Sequence, residues 1–232
     1  MQKRYVIIVA GGTGSRMGSD LPKQYLPLGN RPVLMHTIAR FTEAESSPEV
    51  VLVINEAMHA LWNDLCEQHH FDIPHTIAYG GTSRFQSVRN GLLKIVESVR
   101  QPLEHTLIAI HDAARPVISP ELIDRCFEEA SIHGSTVLAV LSTNSVRQGT
   151  LACSRSIDRS QVWMVQTPQT FRGDIIERAF QQEESSEFTD DASVVEKLGY
   201  TVRLIPGDHR NIKITFPEDI RIAQYYLESP KI

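Results

Sequence analysis

The chain of 232 residues carries 28 acidic and 23 basic side chains, so its formal net charge is −5. A mildly acidic chain is not expected to be a general nucleic-acid binder, which leaves a local basic patch as the alternative. No run of about 18 apolar residues predicts a membrane span, and Met1–Tyr5 lacks the long apolar stretch of a signal peptide. The three well-separated cysteines (Cys66, Cys126 and Cys153) suit a reducing compartment, which predicts a cytoplasmic protein.

Four short apolar runs predict buried strands. They are Tyr5–Ala10, Glu49–Ile54, Thr106–Ile110 and Thr136–Leu141. Continuous apolar runs of this length are typical of strands covered on both faces, as in a parallel sheet. The chain length suits one large or two small domains, and we predict a single domain over residues 1–232.

Segments with helical spacing alternate with these runs. Pro32–Glu43 begins with the proline favoured in a first helical turn, and Ser83–Val99 repeats apolar residues at helical spacing. A helix from Ser119 to about His133 would end at Gly134. Further predicted elements are helices at Gly173–Gln182, Asp190–Leu198 and Pro217–Leu227, a strand at Thr201–Pro206 and a short segment at Asn211–Thr215. The alternation predicts an α/β fold, with a Rossmann-like, mostly parallel sheet flanked by helices.

Residues 142–167 interrupt the alternation. The segment is polar, rich in Ser, Arg and Thr, and too long for a tight connection. We expect a turn near Gln148–Gly149 and interpret the segment as a β-arm that protrudes from the sheet, with a disordered loop as the alternative. Val162–Val165, which includes Trp163, indicates that part of the arm packs against another surface.

A glycine-rich turn, AGGTGSRMG at residues 10–18, follows the first strand. In α/β sheets ligands bind at the carboxyl ends of the strands, and glycines let backbone N–H groups approach a phosphate. The spacing fits neither the dinucleotide-binding fingerprint nor the P-loop, which disfavours a dehydrogenase. Arg16 and Lys23 add two cations that could stabilise charge as pyrophosphate leaves. The alternatives are an ordinary strand-to-helix turn and a solvated surface lysine.

Ordered motifs carry a resemblance to a known family. AGGTGSRMG followed by PKQYLPLGNRPVLMHTI is similar to the sugar and polyol phosphate nucleotidyltransferases. The later motifs are GGTSRFQSV (80–88), HDAARP (111–116), Asp158–Arg159, QTPQ (166–169), TDDAS (189–193) and NIKIT (211–215). Together they resemble the 2-C-methyl-D-erythritol 4-phosphate cytidylyltransferases over nearly the whole chain.

The resemblance implies that the phosphate of a polyol phosphate attacks the α-phosphorus of CTP and releases pyrophosphate. The second pKa of a phosphate monoester is about 6, so the attacking group is already mostly deprotonated at neutral pH. The enzyme must therefore supply positive charge and alignment rather than a general base.

The resemblance also assigns residues. Arg16 and Lys23 match the cations at the α-phosphate, and Arg159 and Lys213 match the pair that grips the attacking phosphate. In isolation, Arg159 would be interpreted as pairing with Asp158, and Lys213 as a strand-edge charge. The implied nucleotide-binding residues are Ala10, Gly11, Gly12, Gly14, Gly81, Ser87 and Asp112. The implied substrate-binding residues are Asp112, Arg115, Ser145, Arg159, Thr167, Thr189 and Lys213.

A cofactor and a partner follow from the same resemblance. Asp112 is expected to hold Mg²⁺, which bridges phosphate oxygens; a cap for the following turn is the alternative. Family members are homodimers in which each arm reaches the partner's active site, so Arg159 and Ser145 are expected to act in trans. The chain departs from the family pattern at Ser15, Thr82 and Asn144.

Two other functions fit the sequence pattern. The ribitol 5-phosphate cytidylyltransferases share most of the motifs, but Ala114, Ser156–Arg159, Trp163 and TDDAS match the methylerythritol family better. A nucleotide-binding module without catalysis is the other alternative. A mere binder would have no need of Arg159 and Lys213, the cations assigned to the second phosphate.

Overall fold

A short apolar strand at Lys3–Ala10 lies inside the sheet on which the fold is built.

The structure is a computed structural model that describes residues 2–12 and 21–229. In chain order the strands and α-helices are β1 (Lys3–Ala10), β2 (Pro27–Leu28), β3 (Arg31–Pro32), α1 (Val33–Glu43), β4 (Glu49–Ile54), α2 (His59–Gln68), β5 (Thr76–Tyr79), α3 (Arg84–Ser98), β6 (Thr106–Asp112), α4 (Pro120–His133), β7 (Ser135–Leu141), β8 (Val146–Gly149), β9 (Ser154–Ile157), β10 (Trp163–Arg172), α5 (Gly173–Phe180), α6 (Asp191–Glu196), β11 (Leu204–Pro206) and α7 (Pro217–Glu228).

The central sheet has the order β11-β7-β10-β6-β1-β4-β5 in the part of the chain that the structure describes. β1 pairs in parallel with β4 and β6, β4 with β5, and β7 with β11. Only β10 among these strands runs antiparallel to its neighbours, β6 and β7. The predicted α/β fold with a mostly parallel sheet is therefore confirmed.

The strand order changes direction beside β1. The chain moves from β1 to β4 and β5 on one side, then returns to β6 on the other. Crevices outside the carboxyl ends of the strands at such a switch point are the usual ligand sites of open α/β sheets. Val9 is paired with Asp112, so the ends of β1 and β6 lie side by side.

The alternating side chains of β1 enter two apolar layers. Val6 and Ile8 pack with α1, α2 and α4, whereas Tyr5 and Ile7 pack with α3, α5 and α6. A third cluster around Leu28 and Ile214 attaches α7 to the β2-β3 hairpin. Burial on both faces explains why the strand sequences are apolar without alternation.

Several predicted elements change in extent. The strand predicted at Thr201–Pro206 covers Leu204–Pro206, and Asn211–Thr215 forms no regular element. The sequence pattern did not reveal α2, in which Trp62 is the one fully buried side chain, or the short edge strand β5.

Gly134 ends α4 with φ +79°, a conformation that glycine adopts without steric cost.

The interrupting segment contains a two-stranded antiparallel hairpin. β8 and β9 pair from Val146↔Ile157 to Gly149↔Ser154, and the central sheet resumes at Trp163. The turn spans residues 150–153, slightly beyond the predicted Gln148–Gly149. Gly149 has φ +134°, and a Cβ there would collide with the Cys153 carbonyl, so the turn requires glycine.

None of the helices in residues 2–12 and 21–229 has the length and apolar character needed to cross a bilayer.

Candidate active site

A cavity of about 450 Å³ opens where β1 and β6 end. Its described lining residues are Val9, Ala10, Gly11, Gly12, Lys23, Gln24, Gly81, Thr82, Ser83, Arg84, Ser87, Asp112, Ala113, Ala114, Lys213 and Thr215. They come from five separate stretches of sequence. Among these described residues, Asp112 is the only carboxylate, whereas Lys23, Arg84 and Lys213 are basic.

The first wall is the described start of the glycine turn after β1, residues 10–12. Ala10 is the last residue of that strand, and its carbonyl accepts a hydrogen bond of 2.6 Å from Gln24 Nε2. The same nitrogen donates to the Gly12 carbonyl at 3.0 Å. A buried glutamine therefore contacts the glycine turn on both sides of Gly11.

The second wall is the turn between β5 and α3. Ser83 caps α3 by accepting from the Gln86 N–H. Ser87 Oγ donates to the Ser83 carbonyl at 2.8 Å and accepts from the Gly81 N–H at 3.2 Å. A Cβ at Gly81 would overlap the Gln86 side chain. The turn between β5 and α3 therefore packs closely against the N-terminal residues of α3, and only glycine fits at position 81.

Asp112 is the electrostatic centre of the cavity. Its side chain is 12% exposed, and Lys213 Nζ lies 2.9 Å from its Oδ2. Arg115 Nε is 3.6 Å from Oδ2, and Arg84 Nη2 is 3.7 Å from Oδ1. Burial alone would raise the pKa of this carboxyl, but Arg84, Lys213 and Arg115 together hold it well below its usual range. Asp112 is therefore ionised at neutral pH.

Behind Asp112, hydrogen bonds fix the start of the next loop. Thr167 Oγ1 accepts from the Asp112 N–H at 3.0 Å and lies 3.1 Å from His111 Nδ1. Burial lowers the pKa of His111 to about 4, so its ring is neutral at pH 7. The threonine hydroxyl then donates to Nδ1, and Nε2–H donates to the Arg115 carbonyl at 3.2 Å. Arg115 Nη1 in turn donates to the Asn211 carbonyl at 2.8 Å, which links this loop to the segment that carries Lys213.

The two lysines reach the cavity from opposite ends of the chain. Lys23 begins a short 3₁₀ helix at Lys23–Tyr25, and its Nζ donates to the Ile214 carbonyl at 2.6 Å. Since Ile214 is the neighbour of Lys213, this bond ties the two basic segments together. The sequence pattern gives no indication that these two segments are in contact, because they lie 191 residues apart.

Arg84 is a charged residue of the cavity that the sequence analysis did not single out. Its Nη1 and Nη2 donate to the two carboxylate oxygens of Asp191 at 2.5 and 2.7 Å. Burial alone would lower the pKa of Arg84, but Asp191 raises it above the ordinary value. Both residues occur in motifs of the sequence (GGTSRFQSV and TDDAS). Because they are 107 residues apart, the sequence gives no local indication that they pair.

The structure brings together eight of the predicted site residues as cavity lining: Ala10, Gly11, Gly12, Lys23, Gly81, Ser87, Asp112 and Lys213. Arg115 and Thr167 lie directly behind Asp112, where the Thr167 hydroxyl is used within the protein. Thr189 is exposed next to the N-terminus of α6. Ser145 and Arg159 are exposed on the arm, and Arg159 Nη1 donates to the Thr143 carbonyl. Gly14 and Arg16 fall outside the described residues.

Known proteins resemble this chain over nearly its whole length. The model of the family described as "IspD: 2-C-methyl-D-erythritol 4-phosphate cytidylyltransferase" matches residues 5–229. The 2-C-methyl-D-erythritol 4-phosphate cytidylyltransferase of Bacteroides thetaiotaomicron is 44% identical over 225 residues, which cover 97% of this chain and 100% of that protein.

Solved structures give the same result. A crystal structure of 4-diphosphocytidyl-2C-methyl-D-erythritol synthase superimposes with a TM-score of 0.80 at 31% identity, covering 98% of this chain and 100% of the other. The Francisella tularensis 2-C-methyl-D-erythritol 4-phosphate cytidylyltransferase gives a TM-score of 0.77 at 29% identity, covering 97% and 99%.

The Arg84–Asp191 pair generates a prediction about stability. In the Asp191→Asn variant the charge of Arg84 loses its buried partner, so we expect the free energy of unfolding to fall by about 2–3 kcal/mol. Arg172 and Asp174 form a similar bidentate pair nearer the surface, at 42% and 25% side-chain exposure. Asp174→Asn is therefore the matched control, with an expected loss below about 1 kcal/mol. Urea denaturation of both variants measures the difference, and equal losses would contradict the prediction.

Proposed function

The chain belongs to the 2-C-methyl-D-erythritol 4-phosphate cytidylyltransferase family, and we propose that its reaction takes place in the cavity at the ends of β1 and β6. The chain is a CTP-dependent nucleotidyltransferase of isoprenoid biosynthesis. Its acceptor is 2-C-methyl-D-erythritol 4-phosphate rather than ribitol 5-phosphate, and a purely nucleotide-binding module is disfavoured because the family consists of cytidylyltransferases.

The reaction joins two polyanions. An oxygen of the acceptor phosphate forms a bond to the α-phosphorus of CTP, the bond to the bridging oxygen breaks, and pyrophosphate leaves. Because the acceptor phosphate is mostly dianionic at neutral pH, no side chain has to remove a proton. What the protein must contribute is alignment and positive charge at the phosphorus.

The convergence of Lys23 and Lys213 on one cavity is the observation that carries the proposal. Both ammonium groups are held by oxygens of the protein, Lys23 by the Ile214 carbonyl and Lys213 by Asp112. This arrangement keeps two cations together before the substrates arrive. We assign Lys23, together with Arg16, to the α-phosphate and Lys213 to the acceptor phosphate.

The two glycine turns are proposed to bind the nucleotide. Ala10, Gly11 and Gly12 form one wall of the cavity, and Gly81 and Ser87 form the other. The backbone groups of Gly11, Gly12 and Gly81 can approach a ligand closely because glycine has no side chain. Gly14 is assigned to the same role by its place in the motif.

The acceptor is proposed to lie nearer Asp112. This carboxylate can accept hydrogen bonds from polyol hydroxyls because it is ionised and lines the cavity. Thr189 is available at the surface. Arg115 and Thr167 are assigned to this end too, and their contacts indicate that they act at least by orienting Asp112.

We also propose that Mg²⁺ is the cofactor. Mg²⁺ is bound through one or two carboxylates together with substrate phosphates, so the single carboxylate of the described cavity fits it. No group of three or more His, Cys, Asp or Glu side chains in the described residues forms a complete protein cage. Asp112 would hold the ion, which would neutralise phosphate charge when bound.

A homodimer built through the arm is a further part of the proposal. Leu141, Trp163, Met164 and Val165 are between 40% and 56% exposed where the arm leaves the sheet. Such an apolar patch favours contact with another surface, and a second copy would cover it. Arg159 and Ser145 would then serve the partner's cavity.

We propose a cytoplasmic location. Cys66, Cys126 and Cys153 are free thiols, which a reducing compartment maintains. Burial raises the pKa of Cys66 to about 11, so this thiol has little reactivity at neutral pH.

Neutral substitutions of the lysines test the site. Lys23→Ala and Lys213→Ala should each lower kcat by roughly a hundredfold or more, because each removes one charge that stabilises the transition state. Lys94→Ala is the control, since Lys94 pairs with Glu97 on the exposed face of α3. Pyrophosphate release from CTP and 2-C-methyl-D-erythritol 4-phosphate is the measurement. Unchanged turnover in both cavity variants would place the reaction elsewhere.

Mixing inactive variants tests the shared site. If Arg159 acts in trans, a mixed dimer of Arg159→Ala and Lys23→Ala subunits contains one intact site. Random exchange of equal amounts should restore about one quarter of the wild-type activity. The separate variants, treated in the same way, are the controls. No recovery, although mixed dimers form, would show that each chain completes its own site.

Metal removal tests the cofactor. EDTA should abolish pyrophosphate release, and added Mg²⁺ should restore it. The Asp112→Asn variant should need at least about tenfold more Mg²⁺ for half-maximal activity, because a neutral oxygen holds the ion less well. Asp64→Asn on the exposed side of α2 is the control. Full activity in EDTA would contradict the proposal.

A further inference from the structure

Gln24 makes an unusual pair of contacts with the glycine turn. Its Nε2 donates to the carbonyls of Ala10 and Gly12 at 2.6 and 3.0 Å, and the residue is only 3% exposed. Both partners are carbonyl oxygens, which can only accept. The amide must therefore point its NH₂ group toward them and use one hydrogen for each.

These two bonds fix the direction of the backbone between them. A trans peptide group is planar, so its N–H and C=O point in opposite directions. Because the Ala10 carbonyl points to Gln24, the N–H of Gly11 points away from it. Glycine has no side chain to restrain its backbone, and Gln24 supplies that restraint from outside the turn.

Gln24 is itself held by its neighbours. Lys23 donates to the Ile214 carbonyl, and Tyr25 is buried with its ring centroid 6.4 Å from that of Trp62. The short helix at Lys23–Tyr25 thus joins three parts of the cavity: the glycine turn, the α-phosphate lysine and the Lys213 segment. Within this helix, Gln24 is the residue that contacts the glycine turn, and Lys23 is the residue that contacts the Lys213 segment.

We infer that Gln24 is a positioning residue that holds residues 10–12 at the start of the glycine turn in the conformation that binds CTP. The inference rests on the proposed function of the cavity. Gln24 acts through the backbone of residues 10–12, so its loss weakens the binding of CTP while leaving the acceptor phosphate and its cations in place.

The Gln24→Glu variant keeps the size of the side chain and replaces the donor group by a carboxyl, which adds a negative charge when it is ionised; Gln24→Met removes the donor without adding charge. Two hydrogen bonds are lost, so we expect the Kd for CTP and the KM for CTP to rise about tenfold or more. The KM for 2-C-methyl-D-erythritol 4-phosphate and the kcat at saturating CTP should change less than about threefold, because the lost contacts lie in the nucleotide wall. Gln101→Glu is the matched control, since Gln101 donates to the His105 carbonyl on the exposed surface.

The pH dependence separates positioning from a general loss of structure. A buried carboxyl facing two carbonyl oxygens has a raised pKa and regains one donor when it is protonated. The ratio of the Kd values of the variant and the wild type, measured by calorimetry with CTP and Mg²⁺, should therefore shrink from about pH 8 to about pH 6. Gln24→Met, which never carries a donor, should show the same weakening without that change.

The outcomes are distinct. Unchanged CTP affinity in a folded Gln24→Met protein, or an equal loss for both substrates, would overturn the inference. If Gln24→Glu does not fold, Gln24→Met alone decides. Lys23→Ala tests the cavity separately: if that variant loses turnover but both Gln24 variants bind CTP normally, only the positioning role fails.

Discussion

The parallel pairing of β1 with β6 is the constraint on which the site depends. Val9 lies opposite Asp112, so the glycine turn after β1 and the carboxylate that ends β6 meet at one edge of the sheet. Apolar layers bury both faces of these strands and set their register. A shift of one residue would reverse the faces of β6 and remove Asp112 from the cavity.

Charge balance around Asp112 is the second element of the architecture. One ionised carboxylate lies within 4 Å of three cationic side chains, and Asp191 neutralises one of them, Arg84. The cavity therefore keeps a surplus of positive charge without leaving cations unpaired in a buried place. That surplus suits a reaction in which one phosphate displaces pyrophosphate from another, because the energetic obstacle is repulsion between anions.

Individual residues show how far sequence patterns can be taken. Gly11 and Asp112 were assigned because glycine turns and charges at strand ends have a mechanistic meaning, and Lys23 was assigned as a cation close to the glycine turn. Gln24 and Arg84 were not assigned, although both stand inside motifs that were recognised. A buried glutamine or an arginine in a helix has no local signature of its function, since that function is defined by partners distant in sequence. The helix α2 was not predicted either. It buries a single large side chain, so its sequence lacks the repeated apolar spacing by which a helix is recognised.

The amino-acid sequence by itself determined the α/β class, the strands buried on both faces, the family and the identity of most charged groups of the site, because apolar periodicity and motif order are local properties. The tertiary structure decided which of these groups meet. It showed that β10 runs antiparallel between β6 and β7, that Lys23 contacts the Lys213 segment, that Thr167 and His111 support Asp112, and that Asp191 neutralises Arg84. Such contacts join positions up to 191 residues apart, and they exist only after the sheet has brought those positions to one edge.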